Sequence, residues 1–405
     1  MEDSLRRTAL VAAALLPVLA LTAFGAVELA TDEPAETAAR AAKASILNPH
    51  PAAGPFTADD TELDDCVEEA TDQRLCLEQA FGNVAYRTSG KEALALMASR
   101  EAAQPEVAAG CHRIAHAIGA AVLAREDGDA ASALAEGDST CWSGFYHGLL
   151  ERALAPARST DELGRLIATL CEPDGKDWPL FTRYQCLHGL GHGLMLRTGN
   201  AVEPSLEMCT RLGDQWSRQS CHGGVFMESF SPSLDLKPPP FDPAAPLEPC
   251  PSVAEGYKLY CYLQVADNLV RGLEYDWPAV ASACETERAA EWREICFQSY
   301  GRQASGSNYG KPAAVAELCS IAGDAGESGC VYGAARDMAS NAASGKPAAT
   351  FCKLVSPTLE SRCFEGVGTI VATLYTDSAV VRRQCAELTR EHATSCARGA
   401  GLPAP

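Results

Sequence analysis

The spacing of the cysteines constrains the fold of this chain more than any other feature of its sequence. Sixteen of the 18 cysteines form eight close pairs, and the two members of a pair are separated by 10 to 15 positions in the sequence. The pairs are Cys66/Cys76, Cys171/Cys186, Cys209/Cys221, Cys250/Cys261, Cys284/Cys296, Cys319/Cys330, Cys352/Cys363 and Cys385/Cys396. From Cys186 onward the second members recur at steps of 35, 40, 35, 34, 33 and 33 residues, a period typical of helical-hairpin repeats. An even number of cysteines in this pattern predicts full disulfide pairing in an oxidising compartment.

Helix signals accompany the paired cysteines. Residues 310–312 read Gly-Lys-Pro before Cys319, and residues 345–347 repeat this tripeptide before Cys352. Glycine commonly ends a helix and proline favours the first turn of the next one. We therefore predict helix A with its cysteine near the end, a short loop, and a second cysteine at the start of helix B. The predicted fold is all-α, a solenoid of disulfide-stapled helical-hairpin repeats of about 33–35 residues each.

Two cysteines and one proline-rich segment interrupt this pattern. Cys111 and Cys141 have no partner about ten residues upstream, so we predict that they pair with each other. Eight prolines between Ser231 and Pro251 predict an irregular insertion over residues 231–250. A glycine three residues after the second cysteine recurs in most units and predicts close approach of the neighbouring helix. The layout resembles secreted helical-repeat proteins with one disulfide per hairpin, and no functional residue is carried over from that resemblance.

The N-terminus carries a long apolar segment. Residues 8–27 are predominantly apolar, and roughly twenty such residues can span a bilayer as a helix. Arg6 and Arg7 precede the segment and acidic residues follow it, which predicts that the rest of the chain lies outside the membrane. We predict a transmembrane anchor or signal segment over residues 1–30 and a flexible Ala/Pro/acidic tether over residues 31–62. The protein is then a single-pass membrane protein, or a secreted one if the segment is cleaved as a signal peptide.

Six of the eight histidines lie between residues 112 and 222. Residues four apart share one face of a helix, and three pairs have this spacing. The pairs are His112/His116, His147/Glu151 and His188/His192. His147 and His192 both stand six residues after a cysteine, which predicts that they face the same way. His112 and His116 would match that face only if their helix were shifted in register by one residue.

These histidines predict a transition-metal site. Their order suggests two centres of three imidazoles each, one with His112, His116 and His147 and the other with His188, His192 and His222. This spacing resembles that of type 3 copper proteins, as a count of residues only. Nitrogen ligands favour copper or zinc, whereas Glu151 or Glu228 as a further ligand favours iron or zinc. The later units carry Asp267, Arg302, Arg336 and Thr369 at the place of His147 and His192, so the scaffold itself does not require histidine. The alternative is a packing role for these histidines.

Two hypotheses for the function follow. In the first, residues 63–230 form a His-rich half that holds the metal, and residues 251–405 form a His-poor half of the same array. Such a protein could be a mono- or dinuclear oxidoreductase or hydrolase with Glu151 or Glu228 as ligand or general base. In the second, the array is a non-catalytic scaffold that binds a protein or peptide on one face. The net charge of −20 argues against a nucleic-acid partner.

Overall fold

The structure, a computed structural model, describes residue 47 and residues 54–68, 72–101, 103–172, 178–232, 237–238 and 240–403. Every described residue belongs to one unit of the chain, Ala44–Pro405. The predicted N-terminal anchor and most of the predicted tether therefore lie outside the described residues. The fold below is that of this unit.

The described residues form helices joined by turns, with no strand among them. The all-helical class predicted from the sequence is thus confirmed. The helices are α1 Leu63–Glu68, α2 Gln73–Arg87, α3 Gly90–Glu101, α4 Pro105–Arg125, α5 Ala130–Leu134, α6 Thr140–Ala153, α7 Thr160–Leu170, α8 Leu180–Arg197, α9 Val202–Cys209, α10 Gln215–Phe230, α11 Glu255–Gly272, α12 Trp277–Glu285, α13 Ala290–Ser307, α14 Pro312–Ile321, α15 Gly323–Asn341, α16 Lys346–Cys352, α17 Glu360–Leu374, α18 Ser378–Leu388 and α19 Ala393–Gly399.

All 18 cysteines are paired in nine disulfides. The eight close pairs join as predicted, and Cys111 is bonded to Cys141 across 30 residues. Nine disulfides and no free thiol indicate an extracellular or secreted protein, because reducing compartments keep cysteines as free thiols.

The second cysteine of a pair does not open its helix, which corrects the prediction. Cys221 is the seventh residue of α10, and Cys296 is the seventh residue of α13. Helix α10 begins upstream because the side chain of Asp214 caps it by accepting a hydrogen bond from the Ser217 backbone N–H. Most of the disulfides therefore tie the end of a short helix to the side of the following long helix, one to two turns from its start. Cys250 instead lies in a turn before α11, and the Cys111–Cys141 disulfide joins α4 to the start of α6.

The long helices pack side by side in chain order. Helix α2 packs on α4, and the succession continues through α6, α8, α10, α11, α13, α15, α17 and α19. The shorter helices pack beside these long ones. In addition α6 contacts α15 and α8 contacts α17, so helices from early and late parts of the unit face each other. The space between them is a cavity, and its walls carry the histidines.

Glycine sets the distance between the histidine-bearing helices. A Cβ atom on Gly224 of α10 would lie 1.9 Å from the carbonyl oxygen of His188 in α8. A Cβ atom on Gly148 of α6 would lie 2.0 Å from the carbonyl oxygen of His116 in α4. No real side chain fits at these distances, so the backbones are in direct contact. The close approach predicted for the recurrent glycine is present at Gly224.

We expect Gly224→Ala to destabilise the protein by about 1–3 kcal/mol or more, because α8 and α10 must separate to admit a methyl group. Gly256→Ala is the matched control, since Gly256 is also helical and nothing lies within 4 Å of a Cβ there. Removing a flexible glycine at that position should stabilise the helix by about 0.5–1 kcal/mol. Denaturant titration measures both changes, and equal effects of the two substitutions would contradict the packing described here.

One described helix, Pro105–Arg125, is long and apolar enough to cross a membrane by length and composition alone. Of its most apolar window, 61% is buried inside the protein, and the helix packs on α2 and α6. It carries His112 and His116, so its packing bears directly on the site below.

Candidate metal centre

Five histidines from three consecutive long helices meet at one place. Helix α4 supplies His112 and His116, α6 supplies His147, and α8 supplies His188 and His192. They form two groups in which the nitrogen atoms lie within 4.8 Å of one another: His112, His116 and His147, and His147, His188 and His192. His147 belongs to both groups. Four of the five side chains are buried, and His112 is partly exposed at the cavity.

The register of α4 and α6 brings these side chains together. Gly144 and Gly224 each stand three residues after a cysteine, but Gly144 contacts the carbonyl oxygen of His112, one residue after its cysteine, and Gly224 contacts that of His188, two residues after its cysteine. Helix α4 is thus shifted by one residue, which is the shift that the sequence required for its histidines to match the face of His147 and His192. The cause lies at the disulfide of Cys111 and Cys141, where residues 141–143 have φ angles of 50°, 55° and 61° and delay the regular part of α6.

Two imidazoles of α4 face each other through their Nε2 atoms, 3.2 Å apart. The Nδ1–H of His112 donates to the carbonyl oxygen of Cys141 at 2.8 Å. The Nδ1 atom of His116 lies 3.0 Å from the Oε1 atom of Glu151. Because a carbonyl only accepts, the Nδ1 atom of His112 carries the proton and its Nε2 atom carries a lone pair directed at His116. The Nδ1 atom of His116 lies near the carboxylate but makes no hydrogen bond that fixes its proton. Either a proton on His116 Nε2 or a metal ion can therefore join the two facing nitrogens.

The pair on α8 has a similar geometry, but a carboxylate holds the Nδ1 atom of only one of its two histidines. The Nε2 atoms of His188 and His192 are 3.4 Å apart. The Nδ1 atom of His192 donates to the Oε2 atom of Glu228 at 2.7 Å, so its Nε2 atom is an acceptor directed at His188. A carboxylate that holds the far nitrogen of an imidazole is the usual support of a metal-binding histidine.

His147 lies between the two pairs. Its ring stacks on that of His192 with centroids 4.1 Å apart and an interplanar angle of 15°. Its centroid is 5.3 Å from that of His112 and 5.4 Å from those of His116 and His188. The Nδ1 atom of His147 is buried without a hydrogen-bond partner in the described structure. His147 can thus serve either pair as the third nitrogen ligand.

Burial keeps four of the imidazoles neutral. It lowers the pKa of His112 to about 3, with a further contribution from His116, and it lowers the pKa of His192 to about 3. Burial also lowers the pKa of His147 and of His188 well below the usual value, and His192 adds to both shifts. Neutral imidazole is the form that binds metal, so the lone pairs are available at ordinary pH.

The two predicted acidic residues lie behind the histidines rather than at the cavity. Glu151 and Glu228 are fully buried and are not among the residues that line the cavity. Burial raises the pKa of Glu151, whereas His116 and Arg152 lower it. The lowering is the larger effect, so this pKa lies below its usual value. Both carboxylates reach the Nδ1 atom of a histidine, and with His192 they also form a group that could hold an ion.

His222 stands outside both histidine groups, so the second predicted centre has a different membership. His147 takes the place that the sequence assigned to His222. The His222 ring packs against Tyr257 with centroids 4.9 Å apart, and its two nitrogens are buried without hydrogen bonds in the described structure. Helix α10 presents Gly223 and Gly224 to His188, and His222 points away toward α11.

A cavity of about 730 Å³ adjoins the centre. His112, His147, His188 and His192 line one side of it. The other sides carry residues that the sequence did not single out as a site: Tyr184, Gln264, Asp267, Arg302, Arg336 and Asp337. A signal for three of them existed, since Asp267, Arg302 and Arg336 occupy the position six residues after the cysteine, which is also the position of His192. The sequence treated these residues as a contrast to the histidines, whereas they line the same cavity.

The chain matches no protein-family model, and neither a curated protein nor a solved structure resembles it significantly. What the findings establish is a disulfide-rich helical protein with buried histidine and glutamate groups that could hold a metal ion.

Proposed function

We propose that this protein binds a transition metal ion outside the cytoplasm through His112, His116, His147, His188 and His192. The observation that carries the proposal is the pair of facing Nε2 atoms, 3.2 Å apart on α4 and 3.4 Å apart on α8. On α4 the far nitrogen of His112 donates to the carbonyl oxygen of Cys141, so its Nε2 lone pair is directed at His116 and can receive a cation. A second pair with similar Nε2 spacing stands on α8, and His147 lies between the two pairs.

The distances agree with nitrogen ligands around one ion. For nitrogen ligands at about 2.0–2.1 Å in a tetrahedral site, neighbouring ligand atoms are about 3.3 Å apart. An all-imidazole donor set favours copper or zinc, the two metals we propose first. Two ions could share the centre if His147 used one nitrogen for each pair, which gives a dinuclear arrangement. With one ion, His147 completes the three-nitrogen set of a single pair.

The cavity favours an enzyme over a purely structural site. Closed structural sites use all their coordination positions, whereas catalytic sites leave one open to a small molecule. Four of the five histidines line a cavity within the size range of small-molecule sites. A metal bound there would act as a Lewis acid or redox centre. We propose that Glu151 and Glu228 orient His116 and His192 rather than serve as general bases, because neither reaches the cavity.

We further propose an architecture for the chain around this site. The helices of residues 63–230 and 251–405 would be two halves of one solenoid of disulfide-stapled hairpins, separated by the insertion at residues 231–250. The succession of long helices that pack in chain order supports this array. An uncleaved N-terminal segment over residues 1–30 would hold the array at the outer face of a membrane by way of the tether at residues 31–62.

The rival proposal is a metal-free scaffold that binds a protein or peptide in the cavity. It is supported by the aromatic and charged side chains that line the cavity beside the histidines. It provides no reason for two histidine pairs, one on α4 and one on α8, to direct their Nε2 atoms at each other. The two proposals differ in whether the protein binds metal at all.

Titration of chelator-stripped, untagged protein with Zn²⁺ and with Cu²⁺ tests the proposal. We expect one or two ions per chain and a higher melting temperature, since an ion that binds only the folded state stabilises it. At a free ion concentration 100-fold above Kd the gain is about 2.7 kcal/mol. The scaffold hypothesis predicts neither saturable binding nor a shift in melting temperature.

A further inference from the structure

Two arginines on the cavity wall have guanidinium nitrogens without a partner. The Nε and Nη2 atoms of Arg302 and the Nε atom of Arg336 are buried and make no hydrogen bond in the described structure. Neither residue forms an ion pair with any described carboxylate within 4.0 Å, although Arg336 lies over the Tyr332 ring at 5.7 Å. An uncompensated buried charge is costly, so a binding partner for these nitrogens is to be expected.

The other charged groups on the wall do not satisfy these arginines. Asp267 is paired with Arg271 at 3.4 Å, and Arg113 is paired with Glu78 at 3.2 Å. Asp337 also lines the wall; burial raises its pKa to about 6, while Arg302 lowers it. One further carboxyl group thus stands against the two arginines, and this part of the wall retains positive charge although the whole chain is acidic.

The arginines lie within reach of the histidines. Both arginines line the same cavity as His188 and Tyr184, and the Tyr184 ring stacks on His188 with centroids 5.4 Å apart. Burial raises the pKa of Tyr184, and the positive charges of Arg336 and Arg302 oppose that shift. Tyr184, Trp142, Trp216 and Tyr260 give the cavity aromatic walls. The Oε1 atom of Gln264, a residue only 5% exposed, is also without a hydrogen bond and adds a polar group to the same cavity.

From this arrangement we infer that the cavity binds a small organic anion, with its carboxylate or phosphate group on Arg302 and Arg336 and its body between the aromatic side chains. Guanidinium groups suit both oxyanions because they offer paired N–H donors in a fixed plane. The inference deepens the proposed function, since it names the class of molecule that would be held beside the histidine centre. The anion site itself requires no metal.

Calorimetric titration of the full chain with benzoate, phenyl phosphate and their neutral analogues benzamide and benzyl alcohol tests this inference. We expect at least one anion to bind with a Kd below about 10 mM, which is modest for molecules of this size, and the neutral analogues to bind more weakly. Arg302→Gln and Arg336→Gln should each weaken binding about tenfold, the effect of losing one charge-assisted contact. If benzoate binds more tightly, the natural ligand is a carboxylate; if phenyl phosphate binds more tightly, it is a phosphate ester.

Arg362→Gln is the control, because Arg362 is paired with Glu294 and Glu365 and lies outside the cavity lining. It should leave anion binding unchanged, and melting curves of all variants verify folding. Anion binding that ignores both cavity arginines, or no binding of either anion, would overturn the inference. Each titration is run on stripped and on metal-loaded protein. Arginine-dependent binding to a chain that takes up no metal would uphold the anion site and reject the proposed metal function.

Discussion

Replacing His147 with alanine is expected to lower the affinity for metal by at least about a hundredfold and to affect both histidine groups at once. Loss of a residue that merely supports a ligand costs 10–100-fold in affinity, and loss of a ligand should cost more. His147 is the single residue common to the two groups of three nitrogens. Competition with a chelator of known affinity measures the change, and a melting curve of the stripped variant verifies that it folds.

Two further substitutions make the result specific. His112→Ala should weaken the group on α4 and leave His147, His188 and His192 intact, so one ion should still bind. His222→Ala should leave metal content unchanged, because His222 packs on Tyr257 outside both groups. If His222→Ala lost metal and His147→Ala had little effect, the ligand set predicted from the sequence would be supported over the one found in the structure.

Glu228→Gln is expected to weaken metal binding by about 10–100-fold without changing the number of imidazole ligands. The carboxylate of Glu228 accepts a hydrogen bond from His192 Nδ1 at 2.7 Å, which orients the ring and raises the basicity of its Nε2 atom. A neutral amide of the same shape retains the contact but loses the charge. Chelator competition again measures the affinity.

Glu287→Gln is the matched control for this second substitution. Glu287 likewise accepts a hydrogen bond from a side chain, the Tyr262 hydroxyl, and belongs to none of the groups that could hold a metal ion. Equal metal affinity of both variants and the wild type would contradict an orienting role for Glu228. A loss well beyond a hundredfold in Glu228→Gln would instead show that this carboxylate is itself a ligand, as in the group of Glu151, His192 and Glu228.

The sequence was sufficient for the disulfides and the helical class because both follow from local spacing. Short separations such as that of Cys319 and Cys330 leave little choice of partner, and capping residues such as Asp214 mark helix starts. The position of the second cysteine within its helix was predicted wrongly. Its place depends on where the cap lies, and the cysteine period alone does not contain that information.

The site was harder to predict because it depends on register between helices. Four-residue spacing correctly placed His188 beside His192, but the membership of His147 in two groups arises from the shift of α4 and the left-handed turn at residues 141–143. No local pattern in the sequence Cys-Trp-Ser predicts such a turn. The cavity wall that carries Arg302 and Arg336 was likewise not predictable from the sequence, because it forms only where late helices face early ones, as α15 faces α6.

Elemental analysis combined with X-ray absorption on untagged protein from the exported fraction tests the central claim most directly. The account predicts at least one copper or zinc ion per chain, with a nitrogen shell at about 2.0–2.1 Å and no sulfur at about 2.3 Å, since every cysteine is in a disulfide. Protein that carries no stoichiometric metal and takes none up, or an ion bound by sulfur, would contradict it.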